Sequence, residues 1–153
     1  MKGSASVFNL RLAMKEDQAV IRCMILGARL NPLGLHWKGF LLAEDEDGNV
    51  LGCGQIKGHA DGSRELASIY VKPEKRGRGL ARAIIQGLLS DQAPPVWLTC
   101  QRALVDFYRR YGFQEIRDVD MMPAYFRRVR RLVGALSFMR GGNPLAVMRW
   151  DGD

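Results

Sequence analysis

The sequence predicts one mixed α/β domain with a mostly antiparallel sheet flanked by helices. Three observations carry this. Up to residue 71, short apolar runs alternate with polar turns, the pattern of an antiparallel meander. A strand pattern over residues 65–71 then passes through a glycine-rich basic stretch into a helical pattern over residues 80–89. After Pro94-Pro95 the chain reads as strand, helix, strand. At 153 residues it is long enough for a single domain, residues 1–153, with a proper core.

The elements follow in order. Phe8 to Ala13 alternates and reads as a strand. Lys15 to Leu30 carries apolar residues at 20, 21, 24, 25 and 28, one face of a helix. Asn31-Pro32-Leu33-Gly34 breaks it. Leu35-His36-Trp37 leads to a strand over Gly39 to Glu44. Asp45 to Asn49 is a polar turn, and Val50 to Lys57 pairs back as a hairpin. Gly58 to Ser63 turns the chain into the central strand, Glu65 to Val71. Pro73 cannot continue a ladder, so this strand stops near Val71. Leu80 to Leu89 is a helix with apolar residues at 80, 81, 84, 85, 88 and 89. Val96 to Cys100 is a strand, Ala103 to Tyr111 a short helix closed by Gly112, and Phe113 to Ile116 a strand. Met121 to Arg140 reads as a helix whose apolar face is Tyr125, Val129, Leu132, Val133, Leu136 and Met139. Leu145 to Trp150 is the last strand.

Composition narrows the function. Apolar residues make up 47% and charged residues 25%, ordinary for a water-soluble globular chain. No apolar run is long enough to span a bilayer, and the first residues carry no apolar signal core. Cys23, Cys53 and Cys100 are scattered and lack metal-ligand spacing, so they read as reduced core residues of a cytoplasmic protein. His36 and His59 lack partners for a metal site and read as structural or exposed, so no metal is expected. The net charge of +7, from 23 basic and 16 acidic residues, suits an anionic ligand. Nucleic acid would also suit it, but the few aromatics do not interleave with the basic residues as a stacking platform requires.

The functional signal lies in Val71-Lys72-Pro73-Glu74-Lys75-Arg76-Gly77-Arg78-Gly79-Leu80-Ala81. A strand end, a glycine-rich turn and a helix start together expose amides that lack intrahelical acceptors, at the positive end of the helix dipole. Gly77 and Gly79 let an anion approach the backbone, and Arg76 and Arg78 add charge. This is a site for phosphate or pyrophosphate. It lacks the Lys-Ser/Thr of a Walker A loop and the dinucleotide glycine pattern.

Arg76-x-x-Gly79-x-Ala81 resembles the acyl-CoA pyrophosphate loop of the GCN5-related N-acetyltransferases, the GNAT superfamily. Asp106-Phe107-Tyr108-Arg109-Arg110-Tyr111-Gly112-Phe113 resembles the Phe-Tyr-x-x-x-Gly-Phe segment one strand and one helix further on. Small bacterial members carry similar stretches to Gly62–Ser68 and to Met122–Arg128. The resemblance runs over essentially the whole chain. It implies a fold in which a β-bulge splays the central strand from its neighbour, with acetyl-CoA as co-substrate in the cleft. Pantetheine would bond to the backbone of Ile69, Tyr70 and Val71. The pyrophosphate would sit on the amides of Gly77, Arg78, Gly79, Leu80 and Ala81, with Arg76 and Arg82 near. A backbone amide at about Val71 would polarise the acetyl carbonyl.

The implied activity is transfer of an acetyl group to a primary amine by direct attack. Such an amine must lose a proton, and the departing thiolate must gain one. Tyr108 is the candidate acid, because in the resembling family the tyrosine at this position faces the CoA sulfur; otherwise it is a core aromatic. Glu65 is the candidate base, on the same strand face as Val71 unless a bulge intervenes. A water chain, with Glu65 as a surface residue paired to Arg64, is the other reading. Ser68, Trp37, Tyr125 and Phe126 are candidates for the acceptor side; Trp37 also reads as a core anchor and Ser68 as simply hydrogen-bonded. Two alternatives remain: an acyl-CoA-binding module without turnover, and an RNA- or ribosome-directed acetyltransferase. For Met121 to Arg140 the readings are pocket wall first, then a homodimer contact, with membrane or RNA contact last.

Overall fold

A computed structural model describes residues 7–138 and 145–153. Among the described residues seven strands form one sheet: β1 (Asn9–Leu12), β2 (Phe40–Glu44), β3 (Val50–Gly58), β4 (Arg64–Val71), β5 (Val96–Gln101), β6 (Phe113–Glu115) and β7 (Leu145–Trp150). Their order is β1-β2-β3-β4-β5-β7-β6. Pairing is antiparallel for β1 with β2, β2 with β3, β5 with β7 and β6 with β7. β4 and β5 pair in parallel through Glu65 and Trp97. The described residues also form four α-helices: α1 (Gln18–Gly27), α2 (Leu80–Ser90), α3 (Val105–Arg109) and α4 (Ala124–Phe138). This is the mixed, mostly antiparallel sheet with flanking helices that the sequence predicts. Among the described residues no helix is long and apolar enough to cross a membrane.

Chain contacts separate two compact units, one of Met1–Lys57 with Leu66–Asp91 and one of Gly58–Glu65 with Gln92–Asp153. In the first, two apolar clusters form. Ile21, Met24 and Ile25 of α1 meet Phe40, Leu42, Val50 and Cys53, with Val20, Trp37 and Tyr70 packed against them. Leu80 and Ile84 of α2 meet Ala43, Leu51 and Val71, with Ile69 and Leu88 alongside. Tyr70 and Ile69 thus join different clusters, as the twofold period of a strand requires. Arg11 ties β1 to the turn before α1, holding Asp17 at 2.7 Å and Glu44 at 2.5 Å.

β4 is irregular at one residue. Ser68 has φ +57, a left-handed conformation that a non-glycine residue rarely adopts. It breaks the alternation between Glu65 and Val71, and Glu65 and Leu66 are both buried. The shared-face parity expected of residues 65 and 71 therefore does not hold as simple strand geometry. Beside this segment, β3 must lie close. A Cβ on Gly52 would stand 2.7 Å from the Tyr70 carbonyl oxygen.

In the second unit, Trp97, Ile116, Met122, Phe126 and Val147 form the core, with Tyr125 packed against it. α4 begins after Pro123, later than the expected Met121, because Val119–Met121 forms a separate 3-10 turn. Its buried anchor is Phe126, whereas Leu132 and Leu136 of the expected apolar face are exposed. The expected helix residues Met139 and Arg140 lie outside the described residues. α3 is shorter than expected because Arg102–Leu104 is 3-10. One cysteine reading is corrected: Cys53 and Cys100 are buried, but Cys23 is exposed, since Ile21, Met24 and Ile25 take the inward positions of α1.

Candidate active site

The glycine-rich loop is built from the end of β4. Lys72 N–H donates to the Leu51 carbonyl at 2.9 Å, the last tie to β3. Pro73–Lys75 makes one 3-10 turn, closed by Lys75 N–H on the Lys72 carbonyl at 2.8 Å. Gly77 has φ +76 and Gly79, the residue capping α2, has φ +83. Only glycine adopts these angles without strain. Nothing lies within 4 Å of a Cβ built at either position, so both face open space. Buried Leu80 and Ile84 anchor the first turn of α2 from beneath. The first amides of α2 therefore emerge beside an exposed, doubly glycine loop, the arrangement that receives an anion. Arg78 and Arg82 are exposed there. Arg76 turns back instead: its Nε donates to the Val71 carbonyl at 3.1 Å, pinning the loop to the strand end.

In the same unit Ser68 and Trp37 belong to one hydrogen-bonded assembly. Buried Gln55 donates through Nε2 to Ser68 Oγ at 2.9 Å and to the Gly34 carbonyl at 3.1 Å. Gln18 donates to the Leu35 carbonyl at 2.6 Å and accepts from Trp37 N–H at 3.0 Å. Lys57 Nζ adds a bond to the Leu33 carbonyl at 2.7 Å. The connection over residues 33–37 is thus stitched to α1 and β3. The Ser68 hydroxyl already has a partner, and the Trp37 ring is half-buried against the core and stacked on His36.

The second unit holds the acid and base candidates, in separate places. Tyr108 is half-buried on α3, edge-on to Phe107 and Phe113. Burial pushes its phenol well above the usual range, with the Cys100 thiol and Tyr111 adding to the shift, so it stays protonated and can only donate or share its proton. Its hydroxyl has no hydrogen-bond partner among the described residues. Tyr111 precedes Gly112, which takes φ +87 as the sequence predicts.

Glu65 is buried, not a surface residue, and does not pair with Arg64. The Arg64 guanidinium donates to Gln92 and to the Ala93 carbonyl. Glu65 Oε2 lies 2.8 Å from His59 Nε2, and Oε1 lies 3.5 Å from Thr99 Oγ1. The His59 ring stacks flat on Tyr125, centroids 3.5 Å apart and planes 13° apart, and meets Phe126 edge-on at 5.8 Å. Phe126 in turn stacks on Trp97 at 5.6 Å. Tyr125 therefore belongs to this cluster as an accessible ring, while Phe126, fully buried, is its support. Burial and the nearby Glu65 charge both raise the Tyr125 phenol. Asp61 fastens the cluster, accepting from the Tyr125 N–H at 2.9 Å and from Ser63 Oγ at 2.5 Å. The Ser63 hydroxyl and the Tyr125 amide hold its carboxyl down at about 2.

His59, read from the sequence as structural or exposed, is half-buried and pairs with Glu65, a partner that the sequence reading did not name. One signal was present: Asp61-Gly62 forces a tight turn that returns β4 beside His59. The stack on Tyr125, 66 positions on, had none. Among the described residues no group of three or more His, Cys, Asp or Glu is placed to hold a metal.

The fold and the glycine loop point to a protein class, and comparisons give the family. A family model described as an acetyltransferase (GNAT) domain matches residues 36–115, more than half of the chain. The chain belongs to the GNAT acetyltransferase family. Among solved structures, Rv2747 from Mycobacterium tuberculosis, crystallised with CoA, is similar at TM-score 0.68 and 23% identity over 93% of this chain and 98% of that one. N-acetylglutamate synthase from Neisseria gonorrhoeae, complexed with CoA and N-acetyl-glutamate, is similar at TM-score 0.71 and 17% identity. That match covers 94% of this chain and 35% of the synthase, so the chain spans about a third of its length. A GNAT-family acetyltransferase from Staphylococcus aureus Mu50 is similar at TM-score 0.67 and 12% identity, over 94% of this chain and 98% of that one. A search of curated proteins gave no match.

Proposed function

We propose that this protein is an acetyl-CoA-dependent N-acetyltransferase that acts on a primary amine by direct attack, with both substrates bound together. The observation that carries the reading is the strand end, double-glycine loop and α2 start over residues 71–82, with Gly77 and Gly79 at positive φ and open to solvent. Support comes from the family match and from similar structures solved with CoA.

The α2 amides and the loop amides of residues 77–81 hold the pyrophosphate. Arg78 and Arg82 supply charge, and Arg76 fixes the loop. The backbone of Ile69, Tyr70 and Val71 bonds pantetheine, and the Val71 amide polarises the acetyl carbonyl. Holding both reactants together supplies most of the acceleration through orientation. Tyr108 donates a proton to the departing thiolate, a role its raised phenol allows. Glu65 belongs to the side that removes the amine proton. Acid and base groups of this kind add typically ~100- to 10,000-fold. The acceptor-side candidates are Trp37 and Ser68 in the first unit and Tyr125, edge-on to Phe126, in the second. An amino-acid amine is one acceptor class to test, since a similar structure is an N-acetylglutamate synthase solved with N-acetyl-glutamate.

The net charge of +7 favours a second reading, an acetyltransferase directed to RNA or the ribosome. A salt-dependent shift of a short RNA probe would support it.

The test is thiol release from acetyl-CoA over amino acids, polyamines and peptide amines, with the acetylated product weighed by mass spectrometry. Turnover of at least one amine is expected, and Tyr108→Phe should lower that turnover at least tenfold while CoA affinity is kept. Bound acetyl-CoA with no thiol release for any amine would instead mark an acyl-CoA-binding module. A wild-type rate in Tyr108→Phe would leave the tyrosine as packing alone.

A further inference from the structure

We propose that His59, not Glu65, is the atom-level proton acceptor for the attacking amine, and that Glu65 is a positioning residue acting through it. This rests on the transferase reading above and names the base within it.

Glu65 is poorly disposed to meet an amine itself. Its side chain is 8% exposed, one carboxylate oxygen is on His59 and the other faces Thr99. An incoming ammonium would have to displace the imidazole to reach it. His59 is the slightly more exposed member of the pair, its side chain at 12%. With Nε2 carrying its hydrogen toward the carboxylate, the assignment that the 2.8 Å contact favours, Nδ1 keeps its lone pair. Nδ1 has no hydrogen-bond partner among the described residues.

The ring is held from three directions. Glu65 fixes its in-plane rotation, Tyr125 covers one face at 3.5 Å, and Phe126 closes an edge. Asp61 holds Tyr125 in turn through its backbone amide. A carboxylate that orients an imidazole and stabilises its protonated form is a general way to make a base. Imidazole is also the side chain that takes up and returns protons near neutral pH. The groups facing His59 are Glu65 from β4, Asp61 from its own turn, and Tyr125 with Phe126 from α4. Thr99 of β5 touches Glu65.

The proton balance closes. The substrate ammonium gives one proton to Nδ1. The neutral amine attacks the acetyl carbon, forming C–N, and the tetrahedral intermediate expels the thiolate as C–S breaks. The thiolate takes the Tyr108 proton, and the second amine proton returns to the Tyr108 oxygen. His59 then releases its proton to water, so one proton leaves per turnover.

The experiment uses the full chain, with acetyl-CoA and the fastest amine found in the thiol-release screen. In folded His59→Gln of unchanged CoA affinity, the rate at pH 7 should fall at least 30-fold. The deficit should shrink as pH rises toward the range where the amine is itself neutral. Glu65→Gln should show a smaller loss with the same pH trend. In the wild type, long-range 1H–15N correlation of the two histidines should give His59 as the Nε2–H tautomer with bare Nδ1, and Glu65→Gln should mix the tautomers. A wild-type pH–rate profile in His59→Gln, an equal loss at every pH, or a neutral ring protonated at Nδ1 would overturn the proposal. Failure of the transferase reading looks different: the wild type itself then turns over no amine.

Discussion

Asp61 is a single exposed carboxylate that reaches from the turn after β3 to the first turn of α4. Its bond to the Tyr125 amide caps a helix whose own N-terminal residue, Ala124, offers no acceptor side chain. Removing a capping carboxylate costs about 1 kcal/mol in typical helices. The folded carboxyl is held at about 2, below the ordinary 3.8. Its contribution is therefore fully present above pH ~4 and is lost as pH falls through about 2. Asp61→Ala should be less stable than wild type at pH 6, and the gap should close between pH 4 and 2 in urea melts. A gap that persists unchanged at pH 2 would mean that the carboxylate charge does not hold α4. Nothing in residues 58–63 alone announces this partner. The turn chemistry of Asp61-Gly62 was legible, but not the bond to a helix 64 positions on.

The elements themselves were largely legible, because alternation and helical spacing mark them directly. The phase of α4 was not. Its sequence offers an apolar stripe through Tyr125, Val129 and Leu132 and, off that stripe, Phe126. Amphipathicity cannot say which meets a core formed elsewhere in the chain. The contact of Phe126 with Trp97 decides it, leaving Leu132 and Leu136 exposed. The left-handed backbone of β4 at Ser68 was not legible, because it goes with tertiary contacts, with Cys53 Sγ on the Ser68 carbonyl and Gln55 on its hydroxyl. Gly52 shows how closely β3 approaches that segment. In Gly52→Ala the added methyl meets a backbone carbonyl at 2.7 Å, which no side-chain rotation relieves. Overpacking of this kind costs typically about 1–3 kcal/mol. A lower urea midpoint is expected, whereas an unchanged midpoint would show that β3 and β4 can part without cost.

At the scale of the whole molecule, fold and family were readable because two motifs stand in order within a regular pattern of elements. The glycine loop was readable for a local reason: strand end, positive-φ glycines and helix start are contiguous in sequence. The base side was not, because His59, Glu65 and Tyr125 meet only after the chain folds. In the proposed reading the excess of seven positive charges draws in an anionic ligand across the molecule, while the loop supplies its specific seat. Gly79→Asp separates these two effects. A Cβ at Gly79 meets nothing within 4 Å, and aspartate is among the residues least strained in left-handed backbone, so the substitution costs some stability but the fold should persist. The new carboxylate would stand where the pyrophosphate belongs and repel it. Titration calorimetry with CoA is the direct measurement. Clear binding to wild type and at least a tenfold loss in folded Gly79→Asp are expected. Equal affinity in the two proteins would contradict the assignment of residues 76–82 as the CoA site.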